Sequence, residues 1–249
     1  MELRVIAYAH NGHTDKFGIP RQSREESPIL TRIVFEPEFA VKEALRGIEG
    51  YSHLWLIWGF SEQPTPNPSP DGRELSWSPT VRPPRLGGNK RVGVFATRSP
   101  FRPNPLGLSS VRLVEVKDGE LIVSGADLLD GTPIYDIKPY LSFSDCHEDA
   151  KNGFAEETKD YHLSVDWHEM DLKPVKQPTN NLLITYYSPT NDILLTAREK
   201  ETLEYILSQD PRPGYQDDPT REYKLDFGGR TVTFVVDKQT VIVKKVKKL

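Results

Sequence analysis

Cysteine is nearly absent from this 249-residue chain, which contains Cys146 alone. No intrachain disulfide can therefore form, and the composition is compatible with a reducing compartment. No stretch is long and apolar enough to cross a bilayer, and the first residues lack the apolar core of a signal peptide. We expect a cytoplasmic protein without a membrane partner.

Metal-ligating patterns are also missing from the sequence. His10 and His13 stand at a spacing that could share an ion, but no Cys or acidic cluster completes a coordination shell. The sequence therefore predicts no metal site. A nucleotide-processing hydrolase would need a metal or an activated nucleophile, so this class of function is disfavoured.

The Gly-rich turn of a doubly wound parallel sheet does not occur in the chain. Short apolar runs separated by turn residues instead predict a mainly β protein. We expect residues 1–145 to form a β-barrel-like domain, 146–181 a polar linker and 182–249 a small α+β domain. Asp118-Gly119 predicts a hairpin turn, and the segment from Thr196 to Glu199 predicts a capping box that opens a helix.

Acidic residues are absent between Leu75 and Val114, although the whole chain has a formal net charge of −4. Such a basic window suggests an anionic partner, because a charged surface attracts and holds opposite charge. A solvated loop whose arginines pair with acids elsewhere would explain the same pattern. The basic residues of the window are Arg82, Arg85, Lys90, Arg91, Arg98, Arg102 and Arg112.

Prolines shape the end of this basic window. Those at positions 100, 103 and 105 pre-set their own backbone and push the preceding residues toward extended conformations. Phe101, Arg102 and Asn104 should therefore lie on a stiff ribbon, which suits the positioning of a ligand.

Three segments of the chain resemble one protein family. They are VRPPRLGGN at 81–89, VFATRSPFRPNPLG at 94–107 and DLLDGTPIYDIKPY at 127–140. In this order they resemble the TsaA-like family, also called TrmO, and DPRPGY at 210–215 is similar to its bacterial C-terminal extension. The resemblance implies a non-Rossmann β-barrel methyltransferase that uses S-adenosylmethionine and forms a homodimer. Its implied substrate is threonylcarbamoyl-adenosine next to the anticodon of tRNA.

The resemblance also implies a cofactor site. Arg98 is predicted to bind the carboxylate of S-adenosylmethionine, with Asp127 and Asp130 near its ribose or ammonium group. Asp130 with Gly131 also fits a plain turn, and both interpretations of Asp130 stay open. On general surface grounds Arg21 would be a solvated loop residue. The other predicted cofactor contacts are Pro20, Arg21, Gln22, Ser61, Glu62, Leu108, Leu128 and Leu129.

Binding of the modified nucleoside is predicted for the proline ribbon and its surroundings. Arg85 or Arg102 would pair with the threonyl carboxylate, and Phe101 or Tyr135 would stack on an unpaired base of the anticodon loop. Asn104 would hydrogen-bond a base edge.

Methyl transfer would depend mainly on the alignment of amine, methyl carbon and sulfur. A carboxylate that accepts the departing proton would help, and Asp136 or Asp127 could supply it. The predicted catalytic residues are thus Asp136 and Asn104. The alternative is a non-catalytic barrel that binds the cofactor or RNA and leaves the tRNA unmodified.

Overall fold

In the described part of the chain, a closed β-barrel is followed by two smaller sheets. The structure is a computed structural model, and it describes residues 2–14, 18–20, 22–23, 27–60, 77–83, 86, 90–176, 184–212 and 218–249. The predicted mainly β, non-Rossmann fold is confirmed, with the barrel at the N-terminal side and an α+β unit after it.

Antiparallel pairing builds the barrel. Its strands are β1 (Ala7–His10), β2 (Leu30–Phe35), β3 (His53–Gly59), β6 (Leu106–Lys117), β7 (Glu120–Ser124) and β8 (Pro133–Pro139). Around the wall the order is β1, β2, β7, β6, β3 and β8, and β8 returns to β1 where Ile134 pairs with Ala7. The predicted turn joins β6 to β7, with Gly119 at φ 74°, a backbone conformation that favours glycine.

Alternating apolar residues fill the barrel. On β3, Leu54, Leu56 and Trp58 point inward, as the period of two along a strand requires. Trp58 pairs in register with Gly107 on β6, and its indole occupies the space that a Cβ at Gly107 would need. A side chain at position 107 would therefore displace the indole.

Short elements complete the N-terminal unit. β4 (Thr80–Val81) and β5 (Val92–Gly93) form a small hairpin in the basic window, and a 3-10 turn follows at Val94–Ala96. Helices α1 (Lys42–Leu45) and α2 (Ser142–Asp145) are single turns.

The C-terminal unit combines two sheets with one longer helix, α3 (Ala197–Ser208). The predicted capping box is present, because the Thr196 hydroxyl accepts from the Glu199 amide and the Glu199 carboxylate accepts from the Thr196 amide. The strands are β9 (Ser164–Asp166), β10 (Lys173–Lys176), β11 (Ile184–Ser188), β12 (Ile193–Thr196), β13 (Tyr223–Phe227), β14 (Arg230–Asp237) and β15 (Thr240–Lys248).

The segment expected to be a linker differs from that expectation. Within 146–181, β9 pairs in parallel with β15, and β10 pairs with β11. The strand order is β10-β11-β12 in one sheet of the C-terminal unit and β13-β14-β15-β9 in the other. β9 has only three residues and pairs with a strand 76 positions later, so this distant partner defines it more than its own polar pattern does.

The two units are in direct contact. Ile29, just before β2, is 3% exposed and belongs to the apolar core of the C-terminal unit. The Gly228 amide donates to the Gly12 carbonyl at 3.0 Å, and Leu225 lies 2.5 Å from where a Cβ on Gly18 would stand. The loop that leaves β1 is therefore packed beneath the β13–β14 hairpin.

Candidate active site

The loop after β1 is tied to the turn that follows β7. Asn11 donates its side-chain amide to the Leu128 carbonyl at 3.0 Å, and its backbone amide donates to the Asp130 carboxylate at 2.9 Å. Its side-chain oxygen accepts from the His13 amide at 2.8 Å. One asparagine thus fixes the relative position of two segments that carry predicted cofactor contacts.

Arg98 and Gln22 meet across 76 positions of sequence. The Arg98 Nη1 donates to the Gln22 Oε1 at 2.5 Å, and the arginine side chain is exposed. Arg98 is also close enough to Asp127 to lower the pKa of that carboxyl electrostatically. The structure therefore brings together three of the residues predicted to bind the cofactor.

Asp127 occupies the inner end of this cluster. Burial raises the pKa of its carboxyl, and the hydrogen bond from Ser109 and the charge of Arg98 oppose the rise only in part. The Ser109 hydroxyl donates to the Asp127 carboxylate and accepts from the Trp58 indole N–H at 2.9 Å. A cation and a half-buried anion thus lie side by side, backed by the barrel core.

The loop after β1 is also held from the C-terminal side. His13 is fully buried with its ring edge-on to Phe227, and the ring centroids are 4.9 Å apart. Burial lowers the pKa of His13 to about 4, and among the described residues neither ring nitrogen has a hydrogen-bond partner. The neutral ring therefore packs between this loop and β13.

Other predicted cofactor contacts occupy varied environments. Pro20 is buried, Leu128 is fully buried in the barrel core, Leu129 is half-buried, and the Leu108 side chain is 53% exposed on the outside of β6. Asp130 precedes Gly131, which has φ 77°, and its carboxylate accepts from the Asn11 amide and stays 39% exposed beside His10. Its role toward a ligand stays a prediction. Arg21, Ser61, Glu62 and Arg85 lie outside the described residues.

The residues of the proline ribbon that were predicted to bind the nucleoside differ in their contacts and exposure. The Arg102 Nη1 donates to the Thr97 carbonyl at 2.6 Å, and the Phe101 carbonyl accepts from the Ser78 amide at 3.1 Å. Asn104 is exposed, so both its donor and its acceptor can face a ligand.

Tyr135, predicted to stack on a base, and Asp136, predicted to be catalytic, both lie on β8. The Tyr135 ring packs over Gly59, leaving no room for a Cβ there. Asp136 is paired with Lys138 at 2.8 Å and accepts from the Ile137 amide at 2.9 Å. Its carboxylate is therefore already engaged, and a catalytic role for Asp136 stays a prediction.

Phe95 is an aromatic residue that the sequence-based interpretation did not single out. Its side chain is 70% exposed in the 3-10 turn after β5. The Trp77 ring is near-parallel to it at an angle of 26°, with 6.1 Å between centroids. The Arg102 guanidinium carbon lies 5.9 Å from the ring centroid of Phe95.

Comparison with family models identifies the family to which the chain belongs. A family model described as the tRNA-methyltransferase O N-terminal domain matches residues 8–146, and one described as the TrmO C-terminal domain matches residues 188–249. The chain belongs to the TrmO family. The resemblance noted for the three sequence segments is thereby confirmed.

Relatives match this TrmO chain over most of its length. A tRNA (adenine(37)-N6)-methyltransferase of Eikenella corrodens is 41% identical over 199 residues, covering 79% of this chain and 97% of that protein. The Escherichia coli protein of the same name is 37% identical over 219 residues, with 86% and 83% coverage. The crystal structure of TrmO from Pseudomonas aeruginosa matches with a TM-score of 0.71 and 29% identity, covering 100% of this chain and 97% of that one.

Sequence analysis missed two residues of the candidate site, for different reasons. Ser109 looks like an ordinary small strand residue, and only the strand register reveals that it points inward toward Asp127. Phe95 lies inside the recognised motif at 94–107, and its position within the basic window was the available signal.

No group of three or more His, Cys, Asp or Glu in the described ranges is arranged to hold a metal ion. In the same part of the chain, no helix has the length and apolarity needed to span a membrane.

Proposed function

We propose that this TrmO family member transfers a methyl group from S-adenosylmethionine to the exocyclic amine of threonylcarbamoyl-adenosine next to the anticodon of tRNA. The relatives named as tRNA (adenine(37)-N6)-methyltransferases support the reaction class. The observation that carries the proposal is the juxtaposition of Arg98 and Asp127 within the cluster that Gln22 and Ser109 complete.

The charges of this cluster fit the amino-acid end of S-adenosylmethionine. Its carboxylate needs a cation, which the exposed Arg98 guanidinium supplies, and its ammonium or ribose diol needs an acceptor, which Asp127 supplies. Gln22 orients the guanidinium through its side-chain oxygen, and Pro20 belongs to the same loop. Because the Leu128 side chain is fully buried, a contact from that residue to the cofactor would come from its backbone.

The sulfonium of S-adenosylmethionine supplies an electrophilic methyl group. The protein then contributes mainly position, because an amine held in line at close range reacts far faster than one that is free to diffuse. Asn104, exposed on the proline ribbon, can donate to and accept from the adenine edge. Asp136 is the proposed proton acceptor on the substrate side, and Lys138 orients its carboxylate.

The basic window supports the RNA side of the proposal. Arg82 and Lys90 are exposed in a stretch without acidic residues, so they are available to phosphates. Arg91 is exposed in the same stretch, but its guanidinium also donates to Thr80. Arg102 or Arg85 would pair with the threonyl carboxylate of the modified nucleoside. A cytoplasmic location belongs to the same proposal because a tRNA is the substrate.

The outer surface of the barrel supports a homodimer. Leu106 and Leu108 are 37% and 53% exposed on β6, and the half-buried Ile57 pairs in register with Leu108. Adjacent apolar residues on a strand face suit a two-fold contact in which the same patch meets itself. Because Leu108 precedes Ser109, this contact would lie directly behind the cofactor site.

Mass spectrometry of nucleosides tests the function. tRNA that bears threonylcarbamoyl-adenosine is incubated with the protein and methyl-labelled S-adenosylmethionine, alongside Arg98→Ala and, as a matched control, Arg46→Ala, which replaces an exposed arginine outside the basic window. We expect labelled methyl on that nucleoside with the wild type and the control, and its loss with Arg98→Ala. RNA and cofactor binding without any label would instead support the non-catalytic barrel.

A further inference from the structure

The 3-10 turn at Val94–Ala96 presents Phe95 to solvent on a rigid backbone. Val94 is 1% exposed and anchors the turn, and its amide donates to the Pro79 carbonyl at 3.0 Å. Its carbonyl accepts from the Thr97 hydroxyl at 2.8 Å and from Arg102 at 3.4 Å. Phe95 is therefore held outward by a turn whose backbone is bonded on several sides.

The Phe95 ring is part of a small aromatic platform. Trp77 lies near-parallel to it but offset, with 6.1 Å between centroids, so the indole covers only part of the phenyl ring. Arg102 approaches the same ring and brings a positive charge to its margin. At 70% exposure, most of the Phe95 surface stays open to a planar ligand.

The charge around the platform selects the kind of ligand. The platform residues fall in the stretch from 76 to 114, which has no Asp or Glu, and Lys90 and Arg91 close by in sequence are exposed. A symmetric contact with a second copy would bring two such basic surfaces together, which like-charge repulsion disfavours. A polyanion with planar groups fits both the charge and the ring, and single-stranded RNA has this combination.

We propose that Phe95, backed by Trp77 and flanked by Arg102, stacks on one unpaired nucleobase of the RNA substrate, beside the base that is modified. This inference rests on the proposed function. Phe95 is three residues from Arg98, so their Cα atoms are at most about 11 Å apart, which places the stacked base close to the cofactor end of the site. Phe95 thereby positions the RNA strand without touching the reacting atoms.

Substitutions of Phe95 test the stacking. The ligand is an anticodon stem-loop RNA that carries threonylcarbamoyl-adenosine, and its dissociation constant is measured for each protein. Loss of one base–aromatic stack predicts binding about 5- to 150-fold weaker for Phe95→Ala. Phe95→Leu, which keeps apolar surface without a π face, should bind nearly as weakly as Phe95→Ala, whereas Phe95→Tyr should bind like the wild type. Phe143→Ala is the matched control, because Phe143 is 87% exposed but lies outside the basic window.

Abasic RNAs identify the stacked base. One base beside the modified adenosine is removed at a time, and each RNA is tested with wild type and Phe95→Ala. At the stacked position the two changes should not add, because each removes one partner of the same contact. Full additivity at every position, or wild-type affinity of Phe95→Ala, would overturn the proposal.

Further measurements separate this inference from the proposed function. Unchanged S-adenosylmethionine affinity and melting temperature of Phe95→Ala show that the variant is folded. If the wild type binds the RNA in a Phe95-dependent way but transfers no labelled methyl, the stacking proposal stands and the proposed reaction fails. Dissociation of a dimer by Phe95→Ala without a change in RNA affinity would overturn stacking in favour of a contact between two copies.

Discussion

Ser109 donates its hydroxyl hydrogen to the carboxylate of Asp127 from inside the barrel wall. The same hydroxyl accepts from the Trp58 indole, and Ser109 is only 1% exposed. A core tryptophan is therefore linked through one serine to the anion of the candidate cofactor site. This relationship makes barrel packing and site chemistry interdependent.

Replacing Ser109 with alanine should affect both the stability of the barrel and the pKa of Asp127. The Trp58 N–H would be left buried without a partner, which costs about 1–3 kcal/mol of unfolding free energy. Because the Ser109 hydrogen bond lowers the pKa of Asp127, its loss should raise that pKa further and shift the acid limit of S-adenosylmethionine binding to higher pH. Calorimetric titration of the cofactor across pH measures this shift. Ser110→Ala, at the adjacent position on the opposite strand face, is the control, and an unchanged pH profile in Ser109→Ala would contradict the prediction.

Asp127→Asn should separate stability from function. Burial raises the pKa of Asp127, so the folded state disfavours the carboxylate relative to the unfolded state. The resulting cost grows as pH rises from the ordinary value of 3.8 through the raised pKa and is absent well below 3.8. Asp127→Asn should therefore melt at or above the wild-type temperature at pH 7.5, lose that advantage near pH 3.5 and no longer bind the cofactor. Asp149→Asn, an exposed carboxylate, should show no such gain.

His13 should make the fold sensitive to acid. Its pKa falls from 6.5 to about 4 on folding, so its neutral ring stabilises fully above pH 6.5, and that stability is lost as pH falls toward 4. Between pH 7.5 and pH 5 the loss should be about 2 kcal/mol. Urea unfolding of wild type and His13→Leu at both pH values measures it, since the leucine variant lacks this contribution. Equal losses in the two proteins would rule out His13 as the cause, and His147→Gln should behave like the wild type.

Leu108→Glu tests the proposed homodimer. A charge on the exposed face of β6 would be repelled by its symmetry mate, so the variant should sediment as a monomer at concentrations where the wild type is a dimer. Val41→Glu places the same charge on another exposed apolar residue, 45% exposed near α1, and should leave the dimer intact. A wild-type monomer, or a dimer unaffected by Leu108→Glu, would contradict the prediction.

Local signals in the sequence predict local structure well in this chain. The Asp118-Gly119 turn and the capping box from Thr196 to Glu199 correspond to a hairpin and a helix start that the structure contains. Pairing is harder to predict, because Ile57 and Asp136 meet across the sheet although 79 positions of chain separate them. Barrel closure and the parallel contact of β9 with β15 depend on such distant partners.

In the candidate site, too, several residues could be predicted from the sequence, but the contacts between them could not. The motifs led to Arg98 and Asp127, whose meeting with Gln22 and Ser109 brings the site together in the structure. Gln22 and Arg98 lie 76 positions apart, so no sequence pattern shows that they are bonded. Phe95 reads as an apolar residue in a motif, and its exposure becomes apparent only from the fold.

The packing of Ile29 within the C-terminal core has a consequence for how the chain unfolds. His13 contacts Phe227 on β13, and Gly12 accepts a hydrogen bond from Gly228 in the adjoining turn. Unfolding of the C-terminal unit would therefore expose Ile29, His13 and Gly12 of the barrel unit to water. The two units therefore share part of their folding free energy, and the chain should lose structure in one cooperative transition. A shortened chain that ends at Asp145 would be less stable than the barrel is within the whole protein.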